Sequence, residues 1–310
     1  MRTNHLRQNS CAVLAAFIWG TAFVAQSICA RYVSPFTFTA SRFLIATLVM
    51  GGIVALVEAR QRRRGDERQP RDWKALLTAG TLCGTLLGTS TILQQAGLGG
   101  TSAGKAGFIT ALYIVVVPIL GLFLHKKVTP LVWLGMVSAV FGLYFLCMTE
   151  SFSISLSDTF VILCAIFFSV HILVVDHYDG RVNSLELSLV QLIVSTMWAL
   201  LGMLIFETPD AGTIEGLRIC FWPILYMGIF PSGVAYTLQI LAQRDSNPTV
   251  TALLLSLESV FAAVSGALIL RDQMSIREYA GCFLMMVAVV LAQLPPISLK
   301  KKEEDLSAES

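Results

Sequence analysis

The stretch from Thr101 to Gly135 constrains this chain most, because it is written twice. It reads TSAGKAGFITALYIVVVPILGLFLHKKVTPLVWLG, and the same plan returns 146 positions later, from Asn247 to Gly281, as NPTVTALLLSLESVFAAVSGALILRDQMSIREYAG. Ala106 meets Ala252, Leu122 meets Leu268, Leu124 meets Leu270 and Gly135 meets Gly281 at one offset without a gap. Both copies open on helix-starting residues, Thr101 and Ser102 in one and Asn247 followed by Pro248 in the other, where a side-chain oxygen can cap orphan amides. Each then runs apolar and breaks at a charged turn, His125 to Thr129 answering Arg271 to Ser275, before a second apolar run. Self-similarity at this scale predicts two related helix sets.

The beginnings of the two halves also correspond, at an offset of 149: Trp19-Gly20 falls on Phe168-Ser169, Ser34-Pro35 on Asn183-Ser184 and Arg42-Phe43 on Gln191-Leu192. The change of three residues lies in the segment joining the second and third helices of each half, where loop length is free to vary.

What these helices are follows from composition. The 310 residues are 55% hydrophobic and 14% charged, with a mean hydropathy of +0.71, whereas soluble domains carry about 25% charged residues. A membrane span needs roughly 20 mostly apolar residues. Ten runs qualify: 11–31, 36–58, 74–95, 104–124, 130–148, 157–177, 185–206, 220–242, 249–270 and 277–294, numbered here as spans 1 to 10. The chain is therefore expected to be an all-α membrane protein, ten transmembrane helices forming two inverted five-helix repeats around a central cavity. Residues 1–148 form the first repeat, 149–297 the second, and 298–310 a charged cytoplasmic tail. Five is odd, so the second copy enters the membrane from the opposite side. Inverted repeats give many secondary transporters two mirrored conformations, with the site near the midplane between the halves.

Basic residues set the orientation. Arg2, Arg7, the stretch from Arg60 to Lys74, Lys126, Lys127, Arg181, Arg244 and Lys300 to Lys302 fall on one side, and only Arg31, Arg218, Arg271 and Arg277 on the other. The positive-inside rule places both termini in the cytoplasm. The hydrophilic loop RQRRRGDERQPR reads as an inside anchor for anionic lipid, not as a nucleic-acid site. The opening run could imitate a cleaved signal peptide, but nine further spans favour a retained first helix. The seven dispersed cysteines have no paired spacing and read as small apolar residues, with no metal and no cofactor expected.

Polar groups at membrane depth are the candidate site. Span 1 presents Trp19, Phe23 and Gln26 on one face, either a pocket wall or packing aromatics. Arg42, about one and a half turns into span 2, reaches the outer interface by snorkelling, which is favoured over a substrate contact. Gly80, Gly84 and Gly88 in span 3 predict close helix packing, as does their neighbouring row of Thr81, Thr85 and Thr89. Lys105 opens span 4 as an outer anchor or an inward-facing cation, the anchor favoured. His171, one turn past Phe168, needs a partner at its depth and is a pocket, proton or packing residue. Ser232, Tyr236, Gln239 and Gln243 share one face of span 8, a polar stripe that lipid would leave unpaired. Glu258, two to three turns into span 9, is the sharpest of all. A carboxylate there costs a few kcal/mol unless it is neutral, paired or wetted, so it either exchanges protons, binds a substrate group, or is bonded to His171, Lys105 or a neighbouring helix. The candidates for substrate binding or coupling are thus Glu258, His171, Trp19, Tyr236, Gln239, Gln26, Phe168, Lys105 and Arg42.

The ten-span plan, Trp19-Gly20, Ser41-Arg42-Phe43, Thr101-Ser102-Ala103 and the doubled helix pair resemble the drug/metabolite transporter superfamily of EamA type. Leu257-Glu258-Ser259-Val260-Phe261-Ala262-Ala263 is similar to that family's LEPVFAA segment, with Ser259 in place of proline, and this replacement predicts a less kinked span 9. The resemblance runs from about Cys11 to Pro295. It implies a basket of helices around a cavity lined by spans 1, 3, 4, 6, 8 and 9, moving metabolites or drugs, often outward, across the cytoplasmic membrane. The expected partners are a small-molecule substrate, the lipid bilayer and protons as coupling ion; monomer and homodimer are not distinguished. No Walker-type phosphate loop is present, which speaks against an ATP-driven pump. An intramembrane enzyme or a non-transporting sensor is the alternative, the enzyme disfavoured because no His-Glu-x-x-His or paired carboxylates occur at depth.

Overall fold

The computed structural model describes residues 2–64, 71–101, 103–126, 128–147, 154–265, 268 and 274–294, and among them the regular structure is entirely helical. Ten helices are long and apolar enough to cross a bilayer: Leu6–Cys29, Pro35–Arg64, Trp73–Leu98, Lys105–Phe123, Pro130–Cys147, Leu156–His177, Ser184–Phe206, Phe221–Gln243, Pro248–Ser265 and Ile276–Gln293. They fall on the ten apolar runs, because an apolar stretch of this length satisfies its backbone only as a helix. The charged tail 298–310, the middle of the basic loop and the turn from Arg271 to Gln273 lie outside the described residues. A short exposed helix, Ala211–Ile219, was not expected. It is started by Asp210, whose carboxylate accepts from the Thr213 amide at 2.8 Å.

The spans pack in pairs that repeat when the halves are exchanged. Span 3 packs on span 6 and span 8 on span 1; span 3 lies against span 7 and span 8 against span 2; span 4 meets span 6 and span 9 meets span 1. Spans 2 and 7, and spans 5 and 10, pair with their own counterparts. At both of these seams a residue touches its own equivalent. Thr47 and Thr196, 149 apart, share a hydroxyl hydrogen bond of 3.1 Å. Ser138 donates to the carbonyl of Leu284, 146 further on, at 3.0 Å. Small residues permit the second seam. A Cβ on Gly142 would lie 2.9 Å from the carbonyl oxygen of Gly281, and one on Gly281 2.7 Å from that of Gly142. The glycine row of span 3 serves the same end against span 7, where a Cβ on Gly84 would meet the Gln191 carbonyl at 2.6 Å.

Glu207 closes the end of the span 2 and 7 seam. Its carboxylate accepts from the amides of Phe36 and Thr37, both at 2.8 Å, and from the Thr37 hydroxyl at 2.7 Å, so span 7 caps the start of span 2. The equivalent acid in the first half, Glu58, is bonded to Arg71, which also pairs with Glu186 at the start of span 7.

Three spans depart from ideal helix. Span 4 is divided at Leu112 into Ala103–Ala111 and Tyr113–Phe123, and span 9 at Ser256 and Leu257 into Pro248–Leu255 and Glu258–Ser265. At both breaks an amide bonds three residues back instead of four, Leu112 to Ile109 and Leu257 to Leu254. Span 9 is interrupted although Ser259 stands where the resemblance has proline. The break lies just before Ser259, where the Ser256 hydroxyl bonds back to the Leu253 carbonyl at 2.8 Å, an interaction that bends helices without proline. Span 8 widens into a π-helical segment, Gly228–Ala235, around Pro231.

Gly142→Leu and Gly281→Val are each expected to destabilise the protein by about 1–3 kcal/mol, because a backbone carbonyl cannot move aside as a flexible side chain can. Thermal unfolding of purified variants in detergent checks this. A melting temperature unchanged by both substitutions would refute the close seam.

Candidate functional site

The two helix breaks face one another. Glu258 is the first residue after the break in span 9 and Tyr113 the first after the break in span 4, and the Tyr113 hydroxyl donates to Glu258 Oε1 at 3.4 Å. Span 1 comes close enough to frame them because of Gly20, where a Cβ would lie 2.6 Å from the Glu258 carbonyl oxygen. That contact gives the Trp19-Gly20 pair its structural meaning: the glycine seats span 1 against the break and the tryptophan beside it enters the space created.

This space is a cavity of about 50 Å³ between spans 1, 2, 3, 4, 6, 8 and 9. One side is aromatic. Tyr236 packs with Trp19 at a ring separation of 5.1 Å and stacks with Phe168 at 6.4 Å. Trp19 Nε1 donates to the Pro231 carbonyl at 3.1 Å, one of the acceptors made available by the π-helical widening of span 8. Another side is a chain of amides, in which Gln26 donates to Gln94 at 3.0 Å and Gln94 to the Thr110 hydroxyl at 3.3 Å. Gln239 also lines the cavity, and its carbonyl oxygen has no protein donor.

Two side chains bring charge. Glu258 is 5% exposed and Arg42 is 2% exposed, and both border the cavity. Among the described residues they form no ion pair with each other. The Arg42 guanidinium lies over the rings of Phe38 and Phe43, 5.4 and 5.1 Å from their centres, while its Nε and Nη2 have no hydrogen-bond partner in the protein. It does not snorkel to the interface as the sequence suggested, because neighbouring spans cover it.

Of the nine residues singled out in the sequence, Glu258, Trp19, Tyr236, Gln239, Gln26, Phe168 and Arg42 meet at this cavity, and His171 and Lys105 do not. His171 is wholly buried and bonds through Nε2 to Gln191 Oε1 at 3.0 Å, across spans 6 and 7. Lys105 is paired with Asp158 at 2.7 Å. Asp158 is 1% exposed and also accepts from the Thr101 hydroxyl at 2.6 Å and the Ser155 amide at 2.7 Å. Thr101 therefore binds the neighbouring helix, and Lys105 is a clamp between spans 4 and 6. A second clamp, Lys126 with Asp176 at 2.6 Å, holds the other ends of the same two spans. Sequence reasoning missed Gln94, Thr110 and Tyr113. For Tyr113 the signal was available, since Leu112 is the repeat counterpart of Glu258 and Tyr113 follows it directly.

Comparison with known proteins places this arrangement. The sequence model of the EamA-like transporter family matches the chain twice, over residues 7–148 and 155–294. An uncharacterized transporter of Archaeoglobus fulgidus is 30% identical over 286 residues, covering 91% of this chain and 84% of that one. One from Synechocystis is 25% identical, covering 94% and 91% respectively. A protein of solved crystal structure, 18% identical, superposes with a TM-score of 0.73 over 94% of this chain and 98% of its own, and so shares the fold.

Lys105→Met is expected to destabilise the protein by about 3 kcal/mol by leaving a buried carboxylate uncompensated, and adding Asp158→Asn is expected to recover part of that loss. Thermal unfolding of the single and double variants decides it. A double variant less stable than Lys105→Met alone would contradict the clamp.

Proposed function

Because the chain belongs to the EamA-like transporter family, we propose that it is a secondary active transporter that carries a small organic metabolite or drug-like solute across the cytoplasmic membrane. It works as an exporter by alternating access, with both termini in the cytoplasm and proton exchange at Glu258.

The observation that carries this reading is the position of the two self-contacting pairs. Thr47 and Thr196, and Ser138 and Leu284, sit close to the midpoints of spans 2, 7, 5 and 10. A two-fold axis through both contacts would run across the bundle at mid-depth, in the membrane plane. Such an axis relates halves threaded in opposite senses, the construction that supplies two mirrored conformations. The helix breaks at Leu112 and at Ser256-Leu257 fall at equivalent places in the repeat, so exchange of the two packings would move the opening of one central cavity from side to side.

Glu258 is suited to the coupling step because it stands at the junction that such an exchange must rearrange. The groups that face it are the hydroxyl of Tyr113 from span 4, with Tyr236 from span 8, Cys164 from span 6 and Cys147 from span 5 in electrostatic reach, and Arg42 borders the same cavity. A proton taken up by Glu258 on one side and released on the other would alternate with solute.

Proteoliposomes loaded with a small-molecule extract of cells test the proposal, with efflux followed by mass spectrometry. Particular compounds are expected to leave faster than from protein-free vesicles, and faster still under an inward proton gradient. Glu258→Gln is expected to reduce the driven rate to that seen without the gradient. Efflux identical to protein-free vesicles would remove the transporter reading, and a gradient response retained by Glu258→Gln would remove the proton role.

A further inference from the structure

Among the described residues that line the cavity, Arg42 is the one cation and Glu258 the one acid. A guanidinium keeps its charge at physiological pH and offers five N–H donors, yet Arg42 Nε and Nη2, both enclosed, have no hydrogen-bond partner among the described residues. The aromatic faces of Phe38 and Phe43 offset part of the charge but take no hydrogen bonds. Elsewhere the enclosed charges are matched, Asp158 by Lys105 and Asp176 by Lys126. Nor does packing call for a cation here. The repeat counterpart of Arg42 is Gln191, a fully buried neutral residue whose Oε1 bonds to His171 Nε2 and whose own Nε2 has no partner among the described residues. The charge at Arg42 is thus peculiar to the half that faces the cavity with it.

We propose that Arg42 is the anion subsite of the cavity and that the solute carried is a compact organic monocarboxylate with an apolar or ring-bearing body. The inference rests on reading the cavity as a solute site and names the class of solute. A guanidinium presents paired N–H donors at the spacing of two carboxylate oxygens. One cation offsets one negative charge, and Glu258 in the same wall disfavours a second. Trp19 and Phe168 provide aromatic surface for the body of the molecule.

Equilibrium binding to the purified full-length protein tests this apart from transport. The probes are phenylacetate, its α-amino derivative phenylglycine, phenylacetamide and phenethylamine, with 3-methylbutanoate and its amide as an aliphatic pair, followed by titration calorimetry and by the fluorescence of a variant that keeps Trp19 as its one tryptophan. Carboxylates are expected to bind and their amides and the amine not to. Preference for phenylacetate identifies a simple acid and preference for phenylglycine a zwitterion, and either supports the proposal. Arg42→Gln is expected to abolish carboxylate binding and Arg42→Lys, which keeps the charge without the fork, to weaken it about tenfold or more. Should Arg42→Gln fail to fold, Arg42→Lys and the wild-type series still decide. Amides or the amine binding as tightly as the carboxylates, or carboxylate affinity unchanged in Arg42→Lys and Arg42→Gln, would overturn it. Binding of carboxylates without flux in vesicles would sink the transporter reading and leave the anion subsite standing.

Discussion

The structure depends on close approach at two helix seams, spans 2 with 7 and spans 5 with 10. Lipid tails are as apolar as the helix surfaces, so burial of apolar area gives helices no reason to associate within the bilayer, and packing contact must hold them. Glycines at 142 and 281, each against the other's carbonyl, and the hydroxyl pair of Thr47 and Thr196 let counterpart helices touch at their middles. Once those seams are closed, the remaining pairings follow in exchanged copies, and the broken spans 4 and 9 are brought together at the centre. Tyr113 meets Glu258 because each follows the break in its own copy of the repeat.

Charge is handled in two ways, and the difference locates the site. At the helix ends buried Asp158 accepts from Lys105, Thr101 and Ser155, and half-buried Asp176 pairs with Lys126. These pairs tie span 4 to span 6 at both ends. Between span 9 and span 1 the repeat places Thr251 and Asn9 at the positions of Lys105 and Asp158, so no ion pair stands there. In the cavity wall, by contrast, Glu258 has a single long hydrogen bond and Arg42 none to protein. Buried charge so weakly matched is expected where a ligand or a proton supplies the missing partner.

The fold was legible because its signals are additive over many residues. Ten runs of membrane length, and a repeat at constant offset, survive any single ambiguous position. The site was legible in part. Trp19, Phe168, Tyr236, Gln239 and Glu258 stood out as polar or aromatic groups where lipid would leave them unsupported. Residues whose meaning depends on a neighbour from another span were less readable. Lys105 looks the same in sequence whether it anchors at an interface or pairs with Asp158, and Arg42 whether it snorkels or is enclosed by Phe38, Phe43 and the cavity wall. The break in span 9 was hidden because no proline marks it.

Opposed threading of the two halves is the claim from which alternating access derives, and sidedness measures it directly. Arg62, beyond the middle of span 2 toward its end, and Ala211, just past span 7, are repeat counterparts 149 residues apart. Single cysteines at these two positions, in a chain freed of its native cysteines, can be treated with a membrane-impermeant maleimide in sealed cells. The account predicts that position 211 is labelled from outside and position 62 only after the membrane is opened. Labelling of both from the same side would contradict it.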